Sequence, residues 1–222
     1  MPRARRRSFP IPTPDSLAHA ALHYLSRYAT SEASLRRMLL TKLRRTAMAH
    51  PDFAADQDRQ AALRLQIEGI IAKHRASGAL NDKAFADMKV ASLRRAGRSR
   101  HVIRQKLSQK GVPDTLISQS LEQHAQDSVR DGSTDDTARE QDEWLAAMAF
   151  ARKRRLGPFR AAGPSARERE EAQEPAEART RQSMRAHREV AAFARAGFAP
   201  ALAYKILGLA PEDIGDADLP DS

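Results

Sequence analysis

The chain of 222 residues carries 38 Lys and Arg against 28 Asp and Glu, a formal net charge of +10. Hydrophobic residues make up 41% and aromatics 5%, with a mean hydropathy of −0.62. That supply is too thin for one thick core and suits thin helical layers or small modules. Cysteine is absent, which excludes disulfides, thiolate metal sites and a cysteine nucleophile, and no run approaches the roughly 18 apolar residues of a membrane span.

Residues 1–15 hold an Arg-rich run and four prolines. No apolar segment follows, so a secretory signal is not expected; the stretch reads as a disordered basic arm and the chain as cytosolic. Asp15 or Ser16 is the expected cap of a first helix with Leu17, Ala21, Leu22, Leu25 and Tyr28 on its apolar side. Thr30 or Ser31 caps a second helix from Glu32 to Thr46, where Leu35, Leu39 and Leu43 recur every four residues. Residues 47–62, with Pro51 and several acids, read as a loop with a helical start near Asp56 or Asp58. Leu63, Ile67, Ile70 and Ile71 carry the next helix, which ends near Ser77 and Gly78.

Leu80, Asn81 and Asp82 then supply a hydrophobic residue and capping candidates before a helix with Phe85 and Met88 that runs to Arg95. Gly97 ends it, Ser99 starts another that stops at Gly111, and Pro113 opens a third with Leu116, Ile117 and Leu121 on its face. Residues 127–137 read as an acidic linker. Ala138 to Leu156 forms a helix with Trp144, Leu145, Met148 and Phe150 apolar. Residues 157–178 are polar and broken by Pro158, Pro164 and Pro175, which suits a mobile insertion. Arg179 to Ala196 and Pro200 to Leu207 are the last helices, before a loose acidic tail at 211–222. No segment alternates with period two, so strand is not expected.

Three stretches share a helix, small-residue turn, helix pattern. Leu22, Val90 and Val190 correspond, as do Leu25, Leu93 and Phe193. Ala29, Gly97 and Gly197 sit in the turns, Ser31, Ser99 and Ala199 start the second helices, and Leu35, Ile103 and Ala203 follow. A two-helix hairpin cannot bury both faces, so a third helix completes each unit. The expected fold is all-α: three tandem three-helix, helix-turn-helix-like repeats at 16–77 (with an insertion at 47–62), 78–126 and 138–210 (with the insertion at 157–178). Three such units in a row make an elongated, curved arrangement.

These features accompany four ordered motifs: ALHYLSRYATSEASLRRML from Ala21, GALNDKAFA from Gly78, RRAGRSRHVIRQKLSQKGV from Arg94, and AFARKRRLGPFR from Ala149 followed by ARAGF from Ala194. Over residues 16 to 210 the chain resembles the RecX family. The resemblance implies three tandem three-helix repeats and a regulator that binds RecA in the groove of its nucleoprotein filament. It implies blocked or capped filament growth, reduced strand exchange and ATPase activity, and so a role in DNA repair, homologous recombination and the SOS response. It also implies weak binding to single- or double-stranded DNA without sequence specificity.

The residues themselves carry little catalytic chemistry. No glycine run forms a phosphate loop. His19 and His23 have metal-ligand spacing, but Ala20 stands where a zinc protease has Glu and no third ligand is evident. No nucleophile-elbow pattern occurs. No enzyme activity, cofactor, metal or membrane association is expected, and a monomer is. Trp144, the single tryptophan, reads as a core anchor rather than a base-stacking platform.

The functional candidates are basic. They fall into three clusters: Arg36, Arg37, Arg44 and Arg45; Arg94, Arg95, Arg98, Arg100, Arg104 and Lys106; and Arg152, Lys153, Arg154 and Arg155. Any one is explained by a solvated helix face; three clusters favour a polyanionic or acidic partner. The alternative to a RecA regulator is a stand-alone helix-turn-helix DNA-binding protein of repressor type, for which the Gly97 turn and the basic helix after it are the loose match.

Overall fold

The computed structural model describes residues 10–128, 135–160 and 175–209, the last segment by backbone alone up to residue 182. Most of the expected arm, part of the expected linker, the polar centre of the insertion and the acidic tail lie outside the described residues. The fold is all-α, and no strand occurs among the described residues. The described residues divide into two compact units, one of those up to residue 86 with 108–116, the other of residues 87–107 with those from 117 onward.

In the first unit, helix α1 (Pro14–Leu25) starts earlier than its acidic residues suggest. Pro14 occupies the first helical position, where a missing N–H costs nothing, so the cap is Thr13 rather than Asp15 or Ser16. The Thr13 and Ser16 side chains bond reciprocally to each other's backbone N–H. Helix α2 (Glu32–Ala49) is capped by Ser31 and buries Leu35, Leu39, Leu43 and Thr46. Residues 47–62 are not a loop. Helix α2 continues to Ala49, Pro51 opens the short helix α3 (Pro51–Ala55), and Asp56 caps helix α4 (Gln57–Ala76). Pro51 breaks α2 but also begins α3, whose Phe53 joins the core. Leu63, Ile67 and Ile71 give α4 its buried stripe. Leu17 and Ala21 are the inward residues of α1. Leu22 lies about 100° further round the helix and is 54% exposed, and Tyr28, beyond the helix end, is 56% exposed; neither belongs to the core.

Helix α5 (Asp82–Arg95) follows a cap in which the Asn81 side chain accepts the Ala84 N–H. Leu80 and Phe85 stand at the two hydrophobic-staple positions around that cap, and both are buried. Helix α6 (Arg100–Gln109) and helix α7 (Asp114–Ser128) come next.

The second unit is built on helix α8 (Asp135–Arg154), a 3₁₀ turn (Gly157–Phe159), helix α9 (Pro175–Arg195) and helix α10 (Pro200–Leu207). Asp135 to Thr137 belong to α8 rather than to a linker, and residues 175–178 to α9 rather than to an insertion: acids suit a helix's first turn and proline its first position. Phe150, Phe193 and Phe198 meet with ring centroids 5.1 to 5.9 Å apart. Alanines at 146, 147, 151, 196 and 203 let the helices close around them. Trp144 packs against this cluster, partly buried, with the Lys205 ammonium 5.0 Å from its ring centre.

Candidate partner-binding surface

The first basic cluster lies on α2. Leu35, Leu39 and Leu43 turn inward, which sends residues 36–37, 40 and 44 outward on a 3.6-residue period. Arg36 places Nε and Nη2 each 2.8 Å from the two carboxylate oxygens of Glu68 on α4, and that hydrogen bonding holds the Glu68 carboxyl below its ordinary value. Arg37 donates to the Gln109 carbonyl at 3.4 Å. Arg44 and Arg45 are exposed. Ala33, Arg36, Arg37, Leu40, Thr41 and Arg44 line a shallow groove of about 380 Å³.

The second cluster splits. Arg94, in the last turn of α5, is 4% exposed. Its Nε lies 3.0 Å from Asp142 Oδ1, its Nη2 bonds the other oxygen of Asp142, and its Nη1 donates to Glu143 at 2.7 Å and to the Arg98 carbonyl at 3.1 Å. Glu143 also accepts the Arg100 backbone N–H at 3.2 Å, so one carboxylate from α8 satisfies a donor that the start of α6 leaves open. Arg100 pairs with Glu122 at 2.7 Å, and Glu122 takes Arg139 at 2.5 Å. Asp142 is 2% exposed and also contacts His124 Nδ1 at 3.2 Å. Burial alone raises a carboxyl's pKa; hydrogen bonds from His124 and Arg94, with their charges, outweigh it and hold Asp142 below its ordinary value.

The turn between α5 and α6 explains the rest of the RRAGRSR run. Gly97 has φ +68, and a Cβ there would lie 2.6 Å from the Phe150 backbone nitrogen. Asp142, Ala146 and Phe150 are spaced four apart on α8, so one face both grips Arg94 and abuts Gly97. Ser99 is fully buried; its hydroxyl donates to the Ala196 carbonyl at 2.7 Å and accepts the Val102 N–H at 3.3 Å. Arg95 and Lys106 remain exposed, while Arg98 and Arg104 are half-buried.

In the third cluster Arg152, Lys153, Arg154 and Arg155 are all exposed at the end of α8. Arg154 lies over the Phe150 ring, 5.8 Å from its centre. Arg155 has φ 53, the left-handed region that usually takes glycine.

The structure therefore gathers Arg94 and Arg100 into a buried charge cluster and leaves most of the other cations outside. Sequence reasoning missed Asp142, Glu143 and Glu122, the acids that hold them. The available signal was Asp142 itself, a carboxylate four and eight residues before Ala146 and Phe150 on an apolar face. Among the described residues no group of three His, Cys, Asp or Glu can hold a metal ion, and no helix is long and apolar enough to cross a membrane. His19 and His23 are exposed on α1.

A family model described as "RecX, second three-helix domain" matches residues 81–121, from the Asn81 cap through α5 and α6 into α7. The chain is 38% identical to a protein named Regulatory protein RecX from Myxococcus xanthus over 199 residues, 90% of this chain and 88% of that protein. The chain belongs to the RecX family. It is also 29% identical to the Regulatory protein RecX of Agrobacterium fabrum over 138 residues, 62% of this chain and 56% of that one. No solved structure matches. Within the RecX segment 81–121, the glycine turn, Arg94, Ser99 and Arg100 make internal contacts, and Arg95 and Lys106 face out.

Proposed function

We propose that this chain is a non-catalytic regulator that binds RecA and its nucleoprotein filament and restrains recombinase and ATPase activity, so tuning DNA repair and homologous recombination. The observation that carries this reading is the 38% identity, across nearly the whole chain, to a protein named Regulatory protein RecX. The contact residues we assign are the exposed cations: Arg37, Arg44 and Arg45, then Arg95 and Lys106, then Arg152, Lys153, Arg154 and Arg155. Arg155 adds weight to the last group. It holds a backbone conformation that costs a non-glycine residue roughly 1–2 kcal/mol, at a position where α5 and α9 are followed by Gly97 and Gly197. A charged residue in a strained backbone conformation is a feature found more often at functional positions than elsewhere. DNA binding follows as a weak, salt-sensitive property without base preference, because these side chains are suited to phosphates.

A repressor-type helix-turn-helix binder is disfavoured. Such proteins read base edges with the N-terminal residues of the second helix. Here Ser99 is buried against Ala196, and Arg100 is tied to Glu122 and Glu143. The test is a titration of the purified chain into RecA hydrolysing ATP on single-stranded DNA. The expected result is progressive inhibition that saturates. Unchanged ATP hydrolysis and strand exchange at about tenfold molar excess would remove this reading.

A further inference from the structure

The groove on α2 has a chemical character that a phosphate-binding surface does not need. Its floor is apolar, with Leu40 between Ala33 and Thr41, and its basic walls are Arg37 and Arg44. Arg36, although it lines the groove, has both forks on Glu68 and adds little net charge. Arg37 and Arg44 are seven residues apart, two helical turns, which sets them about 10.5 Å apart along the axis. Leu40 falls midway on the same face and is 36% exposed.

We propose that this groove seats an acidic amphipathic helix of the protein partner, with carboxylates on Arg37 and Arg44 and an apolar side chain over Leu40. This rests on the reading of the chain as a RecA-filament regulator and names the chemistry of one contact. The spacing fits a helix, because carboxylates at i and i+7 on the incoming segment repeat the same 10.5 Å and leave i+3 or i+4 to meet Leu40. Three phosphate steps of a duplex strand advance about 10 Å, close to the same interval, so it is the apolar floor that favours the helix: a phosphate makes no use of Leu40. The charge on the walls excludes a basic helix and orders an acidic one by complementarity.

Two side-chain sets separate the ideas, and both are exposed, so an unchanged thermal midpoint verifies each variant's fold. One variant is Leu40→Ser; the other is Arg37→Glu with Arg44→Glu. The full chain is titrated with a fluorescein-labelled helical peptide of about fourteen residues (roughly 21 Å long) carrying Glu at i and i+7 and Leu at i+3 and i+4. Controls are the same peptide with Ser for Leu, and an oligothymidylate strand. The expected result is saturable binding of the Glu/Leu peptide, weakened about tenfold or more by either variant and by the Ser peptide, with oligothymidylate affinity untouched by Leu40→Ser. Peptide binding indifferent to Leu40→Ser, or loss confined to oligothymidylate, overturns the proposal in favour of a phosphate surface. A parallel binding assay on RecA–DNA filaments keeps the two readings apart. Filament binding that drops with Leu40→Ser supports the groove as the seat, and filament binding that survives both variants overturns it. A wild-type chain that binds the peptide and ignores the filament leaves the groove standing and removes the RecA reading.

Discussion

Replacing Arg94 with Met tests the buried charge cluster directly. The substitution roughly conserves length and removes three donor groups: the two that reach Asp142 and the one shared between Glu143 and the Arg98 carbonyl. Asp142, 2% exposed in the native chain, is left with His124 at 3.2 Å and Arg100 at 3.8 Å as its nearest remaining partners. Removing one partner of a buried pair costs about 3–5 kcal/mol, and the residual neighbours place this case near the low end, about 3 kcal/mol. The assay is urea unfolding followed by Trp144 emission, which reports on α8 because the chain has one tryptophan and it lies two residues from Asp142. With a slope of about 1–3 kcal/mol per molar urea, the midpoint falls by roughly 1–3 M. The double variant Arg94→Met with Asp142→Leu removes the orphaned charge as well and is expected to recover at least about 2 kcal/mol of that loss. An Arg94→Met cost below about 1 kcal/mol, or a double variant no better than the single, would refute the claim that this pair is a desolvated, coupled unit.

Because Asp142 is held below its ordinary value, its contribution is complete above the unfolded carboxyl pKa of about 3.9 and is lost as pH falls through the lower folded value. The urea-midpoint gap between wild type and the double variant is therefore expected to move in the double variant's favour as pH falls below about 4; a gap that does not move between about pH 5 and 2 counts against the assignment. Gly97→Ala is expected to cost about 2–5 kcal/mol, combining a left-handed backbone with a Cβ driven into α8, as read by thermal melts; a loss under about 1 kcal/mol means that α8 yields. Neutralising Arg152, Lys153, Arg154 and Arg155 to Gln is expected to weaken oligonucleotide binding across sequences and to lower the salt-dependence slope by up to about 3–4. An unchanged slope places the nucleic-acid contacts elsewhere.

The helices, their caps and their inward faces were legible because these are local properties. Leu35, Leu39 and Leu43 at four-residue steps can meet a core only on one side of a helix. Ser31, Asn81 and Asp56 cap because a short polar side chain before a helix finds its open N–H groups. Even the misplaced boundaries at Thr13 and around Pro51 are local: proline at a first helical turn reads as a break in one direction and a start in the other.

The basic surface is another matter. Along the chain Arg94 and Arg95 are alike, two neighbouring cations in the most recognisable run of the sequence. They lie about 100° apart on α5, and only the approach of α8, 48 residues later, decides that one is buried on Asp142 while the other meets solvent. Net charge and its clustering were thus determined by sequence alone, as were helical content and the absence of cysteine chemistry. Which cations remain available to a partner was decided by tertiary structure, because a charge is removed from solution by the carboxylate that packs onto it, and packing joins residues that sequence keeps far apart.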